Sequence, residues 1–344
     1  MTILLATLAA LVVLFVSIGY YLSAPAYQGK SSDHFDGNTF INPGGVKANG
    51  LGKVLQWMMT RKQGEWKEQP HLPHGEKPVA HLNPKVRITF VNHSTFLIQA
   101  DGLNILTDPI WGERTSPFSW AGPKRMRPPG IRYEDLPPID VILLSHNHYD
   151  HLDVTTMQRL AKDHRPRIIT PLGVKAFLDG EGILGARDID WWHTVSVSDS
   201  TVIQCVPAQH FSGRGVFDRD KTLWCGYVIK HKKGNIYFAG DTGYNPTLFK
   251  EIGERCAPLQ VSILPIGAYK PSWFMSPIHT SPEDAVKIFV DTKTNAAIAS
   301  HFGTFPLADE GGDEPALDLA KALSEKSIPS HLFITLKEGT YQDF

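Results

Sequence analysis

A chain of 344 residues with 42% hydrophobic content has ample apolar material for a sizeable core and reads as globular, which excludes a disordered or fibrous protein. Thirty-four basic residues against thirty-five acidic ones leave a formal charge of -1, so there is no global pull toward nucleic acid and no nucleic-acid partner is expected. Three cysteines, Cys205, Cys225 and Cys256, are too few for a disulfide framework and form no C-x-x-C pair; buried apolar packing is their expected role.

Ile3 to Leu22 is an almost unbroken apolar run with no charged side chain, and about 20 residues suffice to span a bilayer as a helix. Tyr20 and Tyr21 close the run, where amphipathic rings favour the membrane interface. Residues 1–23 are therefore expected to be a transmembrane anchor or signal segment. The anchor is preferred because the run exceeds an ordinary signal core and no lysine or arginine precedes it. A single span in a membrane follows. Flanking charge is too sparse to orient it, and an extracytoplasmic side for the soluble part is the working expectation.

Residues 24–84 are rich in Gly, Pro, His and Asn and read as a linker and amino-terminal wrap, with one helical pattern at Val54 to Arg61. Trp57, Met58, Met59 and Trp66 there either pack on the main domain or form a lipid-facing or substrate-facing patch. Residues 85–344 are expected to form the main domain. Strands begin at Val86, and Asp101-Gly102 suits a tight hairpin turn. A proline-rich, aromatic loop follows, then a short buried strand, Asp140 to Leu144, running into Ser145-His146. Next come a helix over 155–163, the strand RIITP and the helix GVKAFLDG. The second half continues with strands TVIQCVPA, LWCGYVIK, NIYFAG and VSILPI. The helix SPEDAVKIFVDT is capped by Ser281 with Pro282 at its first position, then come the strand AAIAS, the helix DEPALDLAKALSEK and a last strand HLFITL. Two similar rounds of strands and helices predict an α/β fold, a four-layer αββα sandwich with an N-terminal apolar helix.

The segment SHNHYDHLD contains H-x-H-x-D-H, placing His146, His148, Asp150 and His151 within six positions directly after an apolar strand. On a regular strand His151 would oppose the other three, so a turn is required to gather all four. Imidazole nitrogen and carboxylate oxygen are ligands zinc accepts at roughly 2.0 to 2.2 Å. Four local side chains cannot surround two metals. His210, Asp241 and His301 supply further donors, and each follows a predicted strand, where open α/β sheets place their sites.

H-x-H-x-D-H with separated His, Asp and His resembles the metallo-β-lactamase-fold hydrolase superfamily. Within it, the chain resembles the N-acylphosphatidylethanolamine-hydrolysing phospholipase D family, of the bacterial type, along about residues 85 to 340. The residues carrying that likeness are NHSTFLIQADGLNILTDPIW, GPKRMRPPG, SHNHYDHLD, GDTGY, LPIGAYKPSWFM with His279 nearby, and ASHFGTF. It departs from mammalian members mainly in its amino-terminal part, where the apolar span replaces a different leader. The resemblance implies that His146, His148 and His210 bind one zinc ion, that Asp150, His151 and His301 bind a second, and that Asp241 bridges the two. It also implies that His93 and Asp108 support the site without ligating.

Two divalent ions about 3.5 to 4 Å apart can share and activate a water. Hydrolysis of a phosphodiester is then expected, with Asp150 orienting the nucleophile and His279 contacting the phosphate or protonating the leaving group, and the resemblance implies that the substrate is the phospholipid N-acylphosphatidylethanolamine. Lys124, Arg125, Arg127 and Arg132 either attract phosphate or form a solvated basic loop. Trp111, Phe118 and Trp120 either line an acyl groove or simply pack. A lactonase, a β-lactam or thioester hydrolase, or a ribonuclease is the rival chemistry on this fold, and a membrane-anchored metal-binding scaffold is the non-enzymatic rival. A homodimer is compatible with the sequence.

Overall fold

The computed structural model describes residues 2–82 and 85–344. The expected boundary at residue 84 therefore lies outside the described residues. Helix α1 (Thr2–Leu22) contains eighteen residues, Leu5–Leu22, long and apolar enough to cross a bilayer, and nearly all of them are exposed. The segment after it wraps the body and carries a second helix, α2 (Leu51–Thr60), three residues earlier than the pattern at Val54 suggests.

Among the described residues the body holds two seven-stranded sheets. The first contains β1 (Arg87–Asn92), β2 (Thr95–Ala100), β3 (Leu103–Thr107), β4 (Val141–Leu143), β5 (Arg167–Pro171) and β6 (Arg187–Ile189). The second contains β7 (Thr194–Ser196), β8 (Val202–Val206), β9 (Gly226–Lys230), β10 (Asn235–Phe238), β11 (Leu259–Pro265), β12 (Ala296–Ser300) and β13 (Phe333–Ile334). The last strand, β14 (Tyr341–Asp343), returns to the first sheet beside β1. The strand orders are β14-β1-β2-β3-β4-β5-β6 and β13-β12-β11-β10-β9-β8-β7. The β2–β3 hairpin pairs Ala100 with Leu103, and Asp101 and Gly102 both take positive φ, 49° and 77°, as its two-residue turn demands.

Alternation along the strands builds the layers. Phe90, Phe96, Ile98, Ile105, Leu143 and Ile169 face inward against Ile203, Tyr227, Ile236 and Phe238 of the second sheet. Their neighbours Val91, Leu97, Leu106, Ile142 and Ile168 point the other way, onto α3 (Val154–Asp163) and α4 (Val174–Gly180). The second sheet is covered by α5 (Pro246–Cys256), α7 (Pro282–Asp291) and α8 (Glu314–Glu325), while the short α6 (Ser272–Met275) packs under α2. The result is the four-layer αββα sandwich. Because both faces are covered, β2 is buried at all six positions and does not show the polar alternation of a half-exposed strand. Each fully buried Leu, Ile or Phe contributes about 1.5–3 kcal/mol of transfer free energy.

Ser281 caps α7 as its sequence indicates, accepting from the Asp284 N–H at 3.1 Å. Helix α5, over PTLFKEIGERC, and the short strands β6 and β7 are additions to the sequence reading; α5 carries its own signal, Asn245 accepting from the Leu248 N–H ahead of Pro246. The expected last strand HLFITL is a strand only at Phe333–Ile334, because Ser330–Leu332 forms a tight helical turn.

Candidate metal centre

The site lies at one end of the sandwich, beyond the carboxyl ends of β4, β8, β10 and β12. After β4 the chain leaves the ladder, and a turn follows in which the His151 and Leu152 N–H groups both donate to the His148 carbonyl, at 3.1 and 2.8 Å. That turn gathers His146, His148, Asp150 and His151. Arg214, half-buried and stacked on Tyr149, donates to the Asn147 and Leu152 carbonyls and clamps the turn from the loop after β8.

The structure brings together all the donor residues expected from sequence. His146, His148 and His210 form one group whose donor atoms lie within 4.8 Å of one another; Asp150, His151 and His301, with His93, form another. Asp241 stands between them. It groups with His146 and His151 on one side and with His210 and His279 on the other, and its Oδ2 lies 3.0 Å from His301 Nε2 and 3.2 Å from His151 Nε2. His279 Nδ1 is 3.7 Å from the same oxygen.

Surrounding bonds fix which ring nitrogens face the centre. His210 donates Nδ1–H to the Ile278 carbonyl at 2.8 Å, which leaves Nε2 bare. Ser145 Oγ donates to Asp108 Oδ2 at 2.6 Å and so accepts from His146 Nδ1 at 2.9 Å, which bares His146 Nε2. His151 donates Nδ1–H to Asp108 Oδ2 at 2.7 Å. The bare His146 and His210 nitrogens then converge on His148 Nδ1, at 2.8 and 3.2 Å. A proton on His148 Nδ1 could satisfy only one of the two, so at least one lone pair is left for which a cation is the natural partner. Likewise His151 Nε2 and Asp241 Oδ1 are buried without a hydrogen-bond partner among the described residues. Unsatisfied buried groups are costly, and here they all point to one place, so the donor set fits metal ions.

The electrostatics agree. Burial drives the imidazolium forms of His93, His210 and His279 down to about 3 and of His148 to about 4, so these rings are neutral, as ligands must be. His151 and His301 also feel burial, but Asp241 and Asp150 outweigh it and raise both, His301 to about 9. Asp150 and Asp241 are held well below the usual carboxylate range by His151 and His301, against burial. The two carboxylates therefore demand positive charge, which protonated histidines or divalent ions can supply.

Several contacts were not legible in sequence. Asn42, from the wrap, accepts from the His210 N–H at 2.8 Å and donates to the His210 carbonyl at 2.7 Å. Gly240 has a φ of 61°, and a Cβ there would lie 2.7 Å from Ser145 Cβ, so only glycine lets the Asp241 loop close on Ser145. His93 reaches Asp150 Oδ2 at 3.1 Å and stands among the donors.

The basic loop residues are engaged elsewhere. Lys124 pairs with Glu68, Arg127 with Asp313 and Glu338, and Arg132 with Asp135, while Arg125 is buried and donates to the Ile110 and Gly112 carbonyls. Trp111 packs on Tyr133 and donates to the Ile131 carbonyl; Phe118 and Trp120 remain on the surface. All three cysteines are buried in the core.

A cleft of about 1000 Å³ opens onto His148, Asp150 and His210, and its walls include Asn42, Val46, Leu51 and Val54 of the wrap.

The fold and this centre define a family. The model of the beta-lactamase superfamily domain matches residues 103–302, more than half of the chain, and the chain belongs to that superfamily. It is 38% identical over 230 residues to N-acyl-phosphatidylethanolamine-hydrolyzing phospholipase D 1 of Caenorhabditis elegans, covering 64% of each chain. It is 33% identical over 253 residues to the mitochondrial N-acyl-phosphatidylethanolamine-hydrolyzing phospholipase D of Saccharomyces cerevisiae, covering 72% of this chain and 54% of that one. The chain thus spans less than two thirds of the length of either relative. Among solved structures, a metallo hydrolase from the archaeon Ignicoccus hospitalis has the same fold, with a TM-score of 0.58 at 22% identity over 76% of this chain and 99% of the other.

Proposed function

We propose that this chain is a metal-dependent hydrolase that uses two zinc ions to cleave the phosphodiester of an N-acylated ethanolamine phospholipid, releasing phosphatidic acid and an N-acylethanolamine. The observation that carries the reading is the convergence of bare nitrogens and carboxylate oxygens in two groups on either side of Asp241. His146, His148 and His210 would hold one ion, Asp150, His151 and His301 the other, with Asp241 shared. Nitrogen and oxygen donors without a thiolate suit zinc. When bound, such a pair supplies Lewis acidity and lowers the pKa of water to about 7.

The chain's own residues do the positioning. His93 Nε2 contacts Asp150 Oδ2 at 3.1 Å and so would fix the carboxylate that orients the attacking water. His279, neutral and among the described residues lacking a hydrogen-bond partner at Nδ1, would donate to a phosphoryl oxygen instead of serving as a strong acid. The names of the two phospholipase D relatives favour the lipid substrate, and the exposed apolar helix α1 favours attachment to a bilayer.

A panel of N-acylphosphatidylethanolamine, other phospholipids, lactones and β-lactams, offered to the zinc-loaded protein, tests the reading. Release of phosphatidic acid with N-acylethanolamine is expected. Turnover of lactones alone would refute it.

A further inference from the structure

Three exposed apolar elements surround the mouth of the cleft. Helix α2 turns Leu51, Leu55, Met58 and Met59 outward at i, i+4, i+7 and i+8, with Met59 82% and Leu51 72% exposed. Its other apolar flank, Val54 and Trp57, packs toward Phe274, so the helix is held by one side and offers a second to solvent. The loop after β8 presents Val216 and Phe217, and the loop after β3 presents Trp120. Leu51, Val216, Thr115 and Pro123 line one opening together with His148 and Asp150, so all three elements belong to a single rim. Scattered apolar residues on a surface are ordinary, whereas a ring of them around one opening requires a partner.

Helix α1 indicates what that partner is. Its carboxyl end sits on the same rim: the Val216 N–H donates to the Gly19 carbonyl at 3.4 Å, and the Phe217 N–H to Ser23 Oγ at 3.1 Å. A bilayer that holds α1 must therefore have its surface at the level of Val216 and Phe217. The charges agree. Residues 37–64 carry no acidic residue and expose Lys47, Lys53 and Lys62, while Arg61 is paired with Asp309. A basic, amphipathic segment beside an apolar stripe suits the interface of an anionic membrane.

We propose that the outer stripe of α2, with Val216, Phe217 and Trp120, docks into an anionic bilayer surface and seats the mouth of the cleft on it. This rests on the reading of the chain as a bilayer-attached lipid hydrolase. Acyl chains then remain in the bilayer while the headgroup enters the cleft.

The test uses the full chain in nanodiscs of phosphatidylcholine and phosphatidylglycerol. A cysteine at Met59→Cys is labelled with an environment-sensitive fluorophore, which the buried native cysteines leave selective, and Val290→Cys on α7 serves as the comparison. The label at 59 is expected to shift to the blue and to be quenched by brominated lipid, and the label at 290 is not. Equal behaviour at the two positions would overturn the proposal. Independently, the triple change Leu55→Glu, Met58→Glu and Met59→Glu should lower turnover of vesicle lipid about tenfold or more, with turnover of a soluble short-chain phosphodiester unchanged. Equal loss on both substrates, or none on either, would contradict it. If the wild type hydrolysed no phosphodiester, the functional reading would fail and the fluorophore would still decide the docking surface.

Discussion

Asp108 stands behind the donor cluster, yet it sets the protonation of two of its rings, His146 through Ser145 and His151 directly. Its Oδ1 accepts from the Ser145 N–H at 2.7 Å, and its Oδ2 accepts from Ser145 Oγ and His151 Nδ1. Burial raises its pKa against the pull of His151 and Ser145, so the carboxylate depends on all three donors. In Asp108→Asn the amide oxygen must stay with the backbone N–H, which turns the amide nitrogen, a donor, toward His151 Nδ1. Two donors cannot face each other, so His151 must move its proton to Nε2, the atom directed at Asp241 and Asp150. Loss of such a partner typically costs 10- to 100-fold in metal affinity, about 1.4–2.7 kcal/mol. Competition of the variant against a chelator of known affinity measures this, with the melting temperature of the metal-free protein as a check on the fold. Metal affinity equal to wild type in a folded variant would refute the reasoning.

Other substitutions probe other links. His279→Gln should retain metal and lower turnover about 100-fold or more, as for removal of one donor to a developing charge; loss of an ion instead would make His279 a ligand. In Gly267→Ala the new Cβ would lie 1.9 Å from the His301 carbonyl oxygen, so backbone must move, at a cost of about 2–4 kcal/mol by denaturant titration, with metal content falling too. His34 ties the wrap to the body through Asp190 at 2.8 Å and Asp33 at 2.6 Å, and these carboxylates raise its pKa although burial opposes them. Its contribution is fully present below its unfolded value, about 6.5, and is lost as pH rises through the raised folded value. The stability difference between wild type and His34→Gln should accordingly shrink as pH is raised past neutrality. A difference that grew with pH would reverse the assignment.

The convergence of His146, His148, Asp150, His151, His210, Asp241 and His301 could be anticipated because each follows a short apolar strand, and parallel strands deliver such residues to one end of a sheet. How the donors divide into two groups could not be read from spacing; only the resemblance suggested it. Asn42 was out of reach because it lies 168 residues from His210 in sequence. Gly267 was equally hidden, since its reason is the approach of a distant carbonyl. The basic loop shows the opposite failure: four cations in sequence suggest an anion site, but partners from Glu68, Asp313, Glu338 and Asp135 occupy three of them, and the Ile110 and Gly112 carbonyls hold the fourth. Helix α5 carries a legible Asn-Pro start, and its buried Leu248, Phe249, Ile252 and Cys256 follow a helical period that the sequence reading passed over.

The two-ion centre is the claim on which the functional account stands, and metal content tests it most directly. Elemental analysis of the full chain after zinc loading and removal of free metal should find about two equivalents per chain, falling to about one in His148→Ala while the fold is kept. Less than one equivalent in the wild type, or an unchanged content in His148→Ala, would contradict it.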